Sequence, residues 1–91
     1  MTVHFYATLR QITGQKTVSF DVARPTVTRL LDAVVEQYPA MRTELLDESG
    51  GLWPHVHVFV NGRDAPYLEQ GLDTELGPDD TVDVFPAVAG G

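Results

Sequence analysis

A chain of 91 residues, 43% apolar and 21% charged, can build one compact core but not two, and lies far from the composition of a disordered segment. It contains no cysteine, which excludes disulfide staples, thiolate metal sites, iron–sulfur clusters and a cysteine nucleophile. Its formal charge of −7, with six Lys and Arg against thirteen Asp and Glu, opposes phosphate contact, so basic proteins are expected as partners and nucleic acids are not.

The first element is a strand. In TVHFYATL the apolar Val3, Phe5, Ala7 and Leu9 alternate with Thr2, His4, Tyr6 and Thr8, the period of a half-buried strand. Thr13-Gly14-Gln15 reads as a turn, and TVSFDV resumes the alternation with Val18, Phe20 and Val22, which predicts an N-terminal hairpin. From Val27 the spacing changes. Val27, Leu30, Leu31, Val34 and Tyr38 recur every three or four residues, the stripe of an amphipathic helix. Thr26 is placed to cap it and Pro39 to end it.

Residues 40–54 read as a loop whose Leu45, Leu46, Leu52 and Trp53 pack against the core. In VHVFVNG, Val56, Val58 and Val60 face one side, His57 and Phe59 the other, and Asn61-Gly62 supplies a tight turn. A short fourth strand is expected at 63–65. GLDTELGPDD reads as turns, with Asp79-Asp80 serving the bend after Pro78 rather than acid–base chemistry. TVDVF follows as the last strand.

This order in under 90 residues predicts an α+β chain of β-grasp plan, a mixed sheet wrapped around one main helix. Residues 1–85 form the domain, and residues 86–91 a flexible Gly-Gly tail. The start MTVHFYATLR has no charged leader ahead of an apolar stretch, and no apolar run approaches the roughly 20 residues of a membrane span. A cytoplasmic protein without membrane contact is expected.

After Phe85 the sequence reads PAVAGG. Glycine adds nothing to a core and costs backbone entropy, so two in succession at this place ask for a use. A stretch without Cβ atoms threads a narrow channel, and 86–91 extended would reach on the order of 20 Å. A carboxylate is a poor electrophile, so chemistry at Gly91 requires activation, most directly as an acyl-adenylate that a sulfur donor can attack.

The chain resembles the MoaD/ThiS family of ubiquitin-like sulfur carriers over essentially its whole length, through ATLRQITG, HVHVFVNGRD, GLDTEL and FPAVAGG. The resemblance implies that an E1-like adenylating enzyme, using ATP and magnesium, forms Gly91-AMP, and that a sulfur donor of desulfurase or rhodanese type converts it to a thiocarboxylate. Gly90 and Gly91 are the residues carried over. The chain is then a substrate of enzymes and binds no cofactor itself.

An acceptor enzyme, such as a cysteine synthase or the large subunit of molybdopterin synthase, would take the sulfur. Ala87 stands where molybdopterin-type carriers have the second proline of PPVxGG, and PAVAGG is more similar to the cysteine-pathway carriers. Arg10 matches a family arginine close to the partner surface.

If the first strand lies beside the last, and the last beside the third, then His4, Tyr6, His57, Phe59 and Phe85 line up as an exposed patch on the outer sheet face. This patch adjoins the root of the tail, where Pro86 and Val88 would extend it. Two alternatives share the fold: a modifier joined through Gly91 to lysines of other proteins, and a non-covalent interaction module with an inert tail. Lys16 is the only lysine, so lysine-linked chains of this protein would have one site. His55 and His57 form an H-x-H pair without a clear third ligand, and no metal site is expected.

Overall fold

The computed structural model describes residues 1–86. Residues 87–91, and with them Ala87, Val88, Gly90 and Gly91 of the expected tail, lie outside the described residues. Strand β1 spans Thr2–Phe5, β2 Thr17–Ser19, β3 His57–Val60, β4 Arg63–Asp64 and β5 Thr81–Phe85. Helices α1 (Thr8–Thr13), α2 (Val27–Gln37) and α3 (Met41–Leu45) lie between β1 and β3. The sheet runs β2-β1-β5-β3-β4, with β1 parallel to β5 and the other pairs antiparallel. A mixed sheet clasping one long helix is the β-grasp arrangement expected from the order of elements.

The core forms where the apolar stripe of α2 meets the inner sheet face. Val27, Leu30 and Val34 of the helix and Val3, Phe5, Val82 and Val84 of the central strands are fully buried. Each such side chain contributes about 1.5–3 kcal/mol through its removal from water. The ends of α2 follow the sequence: the Thr26 hydroxyl accepts the Arg29 N–H at 3.1 Å, and Tyr38 closes the last turn before Pro39. Asn61 and Gly62 turn β3 into β4 with φ of 51° and 85°, the left-handed conformations that an Asn-Gly hairpin turn requires.

Three expectations are corrected. The first strand stops at Phe5, and Ala7 and Leu9 do not continue it. The Leu9 N–H closes a turn on the Tyr6 carbonyl at 3.1 Å, and α1 follows. Leu9 is still buried, but from a helix. Gly14, expected to turn a hairpin, instead ends α1 at φ 75°, the left-handed residue that closes a helix. β1 and β2 pair as expected, through a helical connection. The loop expected at 40–54 contains α3, whose Met41 and Leu45 are fully buried.

Candidate functional site

The two-residue period of three neighbouring strands places the site. Val3, Phe5, Val58, Val60, Val82 and Val84 point into the core, so the residues between them emerge together on the outer face. The register sets them in rows. His4 pairs with Asp83, which pairs with Phe59; one step along, Phe85 pairs with His57. Tyr6 lies just beyond the end of β1, where the register that sets Phe5 against Val84 continues to put it beside Phe85.

The rings form a continuous cluster. Tyr6 stacks on Phe85 with centroids 4.2 Å apart and planes 8° from parallel. Phe59 meets Phe85 edge-on at 5.4 Å, and His57 lies 6.2 Å from Phe59. Such offset and edge-to-face pairs each contribute about 0.5–1.5 kcal/mol beyond their burial. The expected patch therefore forms, with one difference: Tyr6, Phe59 and Phe85 half-bury one another rather than standing exposed.

Polar contacts fix the rings. The Tyr6 hydroxyl donates to Asp83 at 2.8 Å. This hydrogen bond, followed by burial and the carboxylate's charge, pushes the phenol pKa above its ordinary value. The Lys16 ammonium stands 5.4 Å from the centroid of the Tyr6 ring, within range of a cation–π contact. His57 Nδ1 lies 3.0 Å from the Asp64 carboxylate. Sequence reasoning missed both Lys16 and Asp83 as parts of this site. Asp83 was legible in principle, since alternation in TVDVF puts it on the outer face, in the row between His4 and Phe59.

Pro86 is buried at the end of β5 and, with His57, Phe59, Asp64 and Phe85, lines a shallow depression of about 390 Å³. The patch therefore runs unbroken to the point where residues 87–91 begin. His4 shares the outer face but turns aside to Thr17, its Nδ1 lying 2.9 Å from the hydroxyl. Arg10 is exposed on α1 and makes no ion pair among the described residues.

The His55-x-His57 pair is split. His55 stacks on Trp53 at 5.5 Å, and the described residues hold no cluster suited to a metal ion. Asp80, as its turn chemistry predicts, accepts the Gly77 N–H at 2.6 Å and Asn61 Nδ2 at 2.9 Å. No helix among the described residues is long and apolar enough to cross a membrane.

What this arrangement presents is a largely apolar face beside the start of the last segment, built from aromatic groups that packing holds in place. Comparison with known proteins agrees in fold and sequence. The ThiS family profile matches residues 3–91. The small archaeal modifier protein 3 of Haloferax volcanii is 38% identical over 92 residues, covering 100% of this chain and 98% of that protein. The crystal structure of SAMP1 from Haloferax volcanii superposes with a TM-score of 0.86 at 32% identity, over 99% of this chain and 97% of that one. A crystal structure of the Amycolatopsis orientalis BexX/CysO complex contains a chain that matches with a TM-score of 0.79 at 33% identity, over 99% and 98%.

Proposed function

Since this chain belongs to the ThiS/MoaD family of ubiquitin-like sulfur carriers, proteins that enzymes act upon, we propose that its working group is the carboxylate of Gly91 and that the aromatic face docks the enzymes that use it. The observation that carries the reading is that the family match runs on to residue 91, over a final segment that begins at the edge of the aromatic patch. In this scheme an E1-like partner joins the carboxylate to the AMP of ATP with release of pyrophosphate. The terminal sulfur of the persulfide on a desulfurase or rhodanese type donor then attacks the acyl-adenylate and displaces AMP to give an acyl disulfide. A second thiol of the partner enzymes cleaves that S–S bond, releasing the thiocarboxylate and leaving a disulfide between the two enzyme thiols. Magnesium serves the partner's ATP, and this chain holds neither.

A thiocarboxylic acid is far more acidic than a thiol, so it stands ionised and nucleophilic near neutral pH without a base from this chain. We assign the sulfur to a biosynthetic acceptor enzyme, with cysteine formation ahead of molybdopterin. Ala87 of PAVAGG, the tail more similar to the cysteine-pathway carriers, supports this order. Intact mass tests the scheme. Co-expression with an adenylating enzyme and a sulfur source should raise the mass by about 16 Da, one oxygen replaced by sulfur. A chain that stays unmodified while the enzyme turns over ATP would overturn it.

A second reading rests on the 38% identical relative, which is named a modifier: the same activated Gly91 could acylate lysines of other proteins. Anti-tag blots distinguish the two. Covalent adducts that vanish on deletion of Gly91 support conjugation, and adducts that persist without Gly91 exclude it.

A further inference from the structure

Beside the aromatic patch, across the His57–Asp64 pair, the structure contains a second concavity. It measures about 410 Å³, and its walls include Leu52, Trp53, Val56, Ala65, Tyr67 and Leu72. This volume lies in the range of sites that bind small ligands and peptide side chains. Tyr67 is 79% exposed and stands out as the exposed large hydrophobic group of the described residues. It is held on a 3-10 turn, Ala65–Tyr67, with Pro66 inside it. An exposed tyrosine on a stiff turn loses little entropy on binding, which is why tyrosine is favoured at interface anchors.

The walls also restrict how a partner can bind. Pro54 and Pro66 line the groove and carry no N–H. The N–H groups of Val56, Leu68 and Gly71 are already donated to Trp53, Ala65 and Leu68. Little backbone is left for pairing with an added strand, so recognition must come from side chains entering the groove.

Charge sets the sign of the partner. Residues 43–91 hold ten of the thirteen carboxylates and one of the six Lys and Arg, whereas residues 1–42 hold five cations and three carboxylates. Both walls of the groove belong to the acidic part. Asp64 lines it, and the exposed Glu69 and Asp73 flank its lining residues Gly71 and Leu72 in sequence. An apolar slot in so acidic a field repels acidic segments and attracts basic ones.

We propose that this groove is a second docking surface, which takes a positively charged protein segment that inserts an apolar side chain beside Tyr67 and sets a Lys or Arg against the Asp64 rim. His57 and Asp64 line both this groove and the depression at Pro86, so a partner seated here lies alongside the start of the final segment. The surface thus adjoins the aromatic patch at His57 and Asp64 and extends from there away from Tyr6, Phe59 and Phe85.

The test uses the full chain, isotope-labelled, titrated with a synthetic Arg-Leu-Pro repeat nonapeptide and its Glu-Leu-Pro counterpart. The Arg peptide should give saturable amide shifts centred on Leu52, Trp53, Val56, Tyr67 and Leu72, and the Glu peptide none. Tyr67→Ser, at an exposed position where folding is not at risk, should weaken binding about tenfold. The double reversal Glu69→Lys, Asp73→Lys should do the same, and affinity should fall as salt shortens the range of the charges. Three results would each overturn the proposal: no saturable shift up to about 5 mM peptide, shifts centred on Phe59 and Phe85, or equal affinity for the two peptides. None of them bears on the chemistry of Gly91, which the mass measurement decides.

Discussion

Ala7 occupies the first central position of the turn from Tyr6 to Leu9, with φ 54° and ψ −126°. These angles belong to a type II′ turn, where glycine is favoured and an L-residue is strained by about 1–3 kcal/mol. Its side chain is exposed, so removing the methyl sacrifices little packing. Ala7→Gly should therefore raise stability by about 1 kcal/mol even after glycine's larger loss of chain entropy. Urea unfolding with an unchanged slope is the measurement, and a lower midpoint would contradict the strain. Asp80 makes the opposite case, a side chain well matched to its place. The Gly77 N–H, and then Asn61, hold its carboxyl below the usual carboxylate range, as the Ser49 hydroxyl does first for Asp47. A depressed pKa contributes stability that is complete above the unfolded value near 3.9 and is lost as pH falls through the folded one. Asp80→Asn should thus cost about 1 kcal/mol at neutral pH, and the difference should shrink below about pH 4. Parallel urea curves at the two pH values would show it.

The elements differ in how much one position controls. Thr26 supplies the side-chain cap of α2, and Thr26→Ala should lower stability by about 1 kcal/mol, read as a lower thermal midpoint. Val84 is fully buried in β5, between β1 and β3, and Val84→Ala should cost about 2 kcal/mol or more by leaving a cavity. The same contrast explains which elements could be read in advance. The helix α2 carries several turns of stripe, a cap and a following proline; β3 and β5 carry clean alternation, so their outer faces, and hence the aromatic patch, were legible. The helix α1 was not, because Ala7 and Leu9 happen to continue the phase of Val3 and Phe5. Its available signal was Gly14, readable equally as a hairpin turn or a helix stop. With five residues, α3 is too short to display a period beyond Met41 and Leu45. At the site, the alternation fixed which residues share a face, and the parallel register of β1 on β5, which sets Phe5 against Val84, carries Tyr6 to Phe85. The meeting of Lys16 with Tyr6 depends on where α1 returns the chain, beside the end of β1 with the Phe5 N–H donated to the Lys16 carbonyl, which no local pattern encodes.

For the whole molecule, stability should be greatest along the middle of the sheet. β5 is paired on both edges, whereas β4 has two residues and one neighbour. Amide exchange in native conditions should therefore be slowest at Val82 and Val84, where it requires global opening, and fast at Arg63 and Asp64. Equal protection of the two strands would argue against this ranking. The parallel pairing of β1 with β5 has a mechanical meaning as well. Thr2 pairs with Thr81 and Phe5 with Val84, so the chain enters β1 at one end of the pair and leaves β5 at the other. A pull on Pro86 along the strand, resisted at Met1, slides the two strands past each other and loads their hydrogen bonds together instead of peeling them one by one. Tension applied through Pro86 while Met1 is held thus acts on the sheet in shear, the direction in which its bonds share the load.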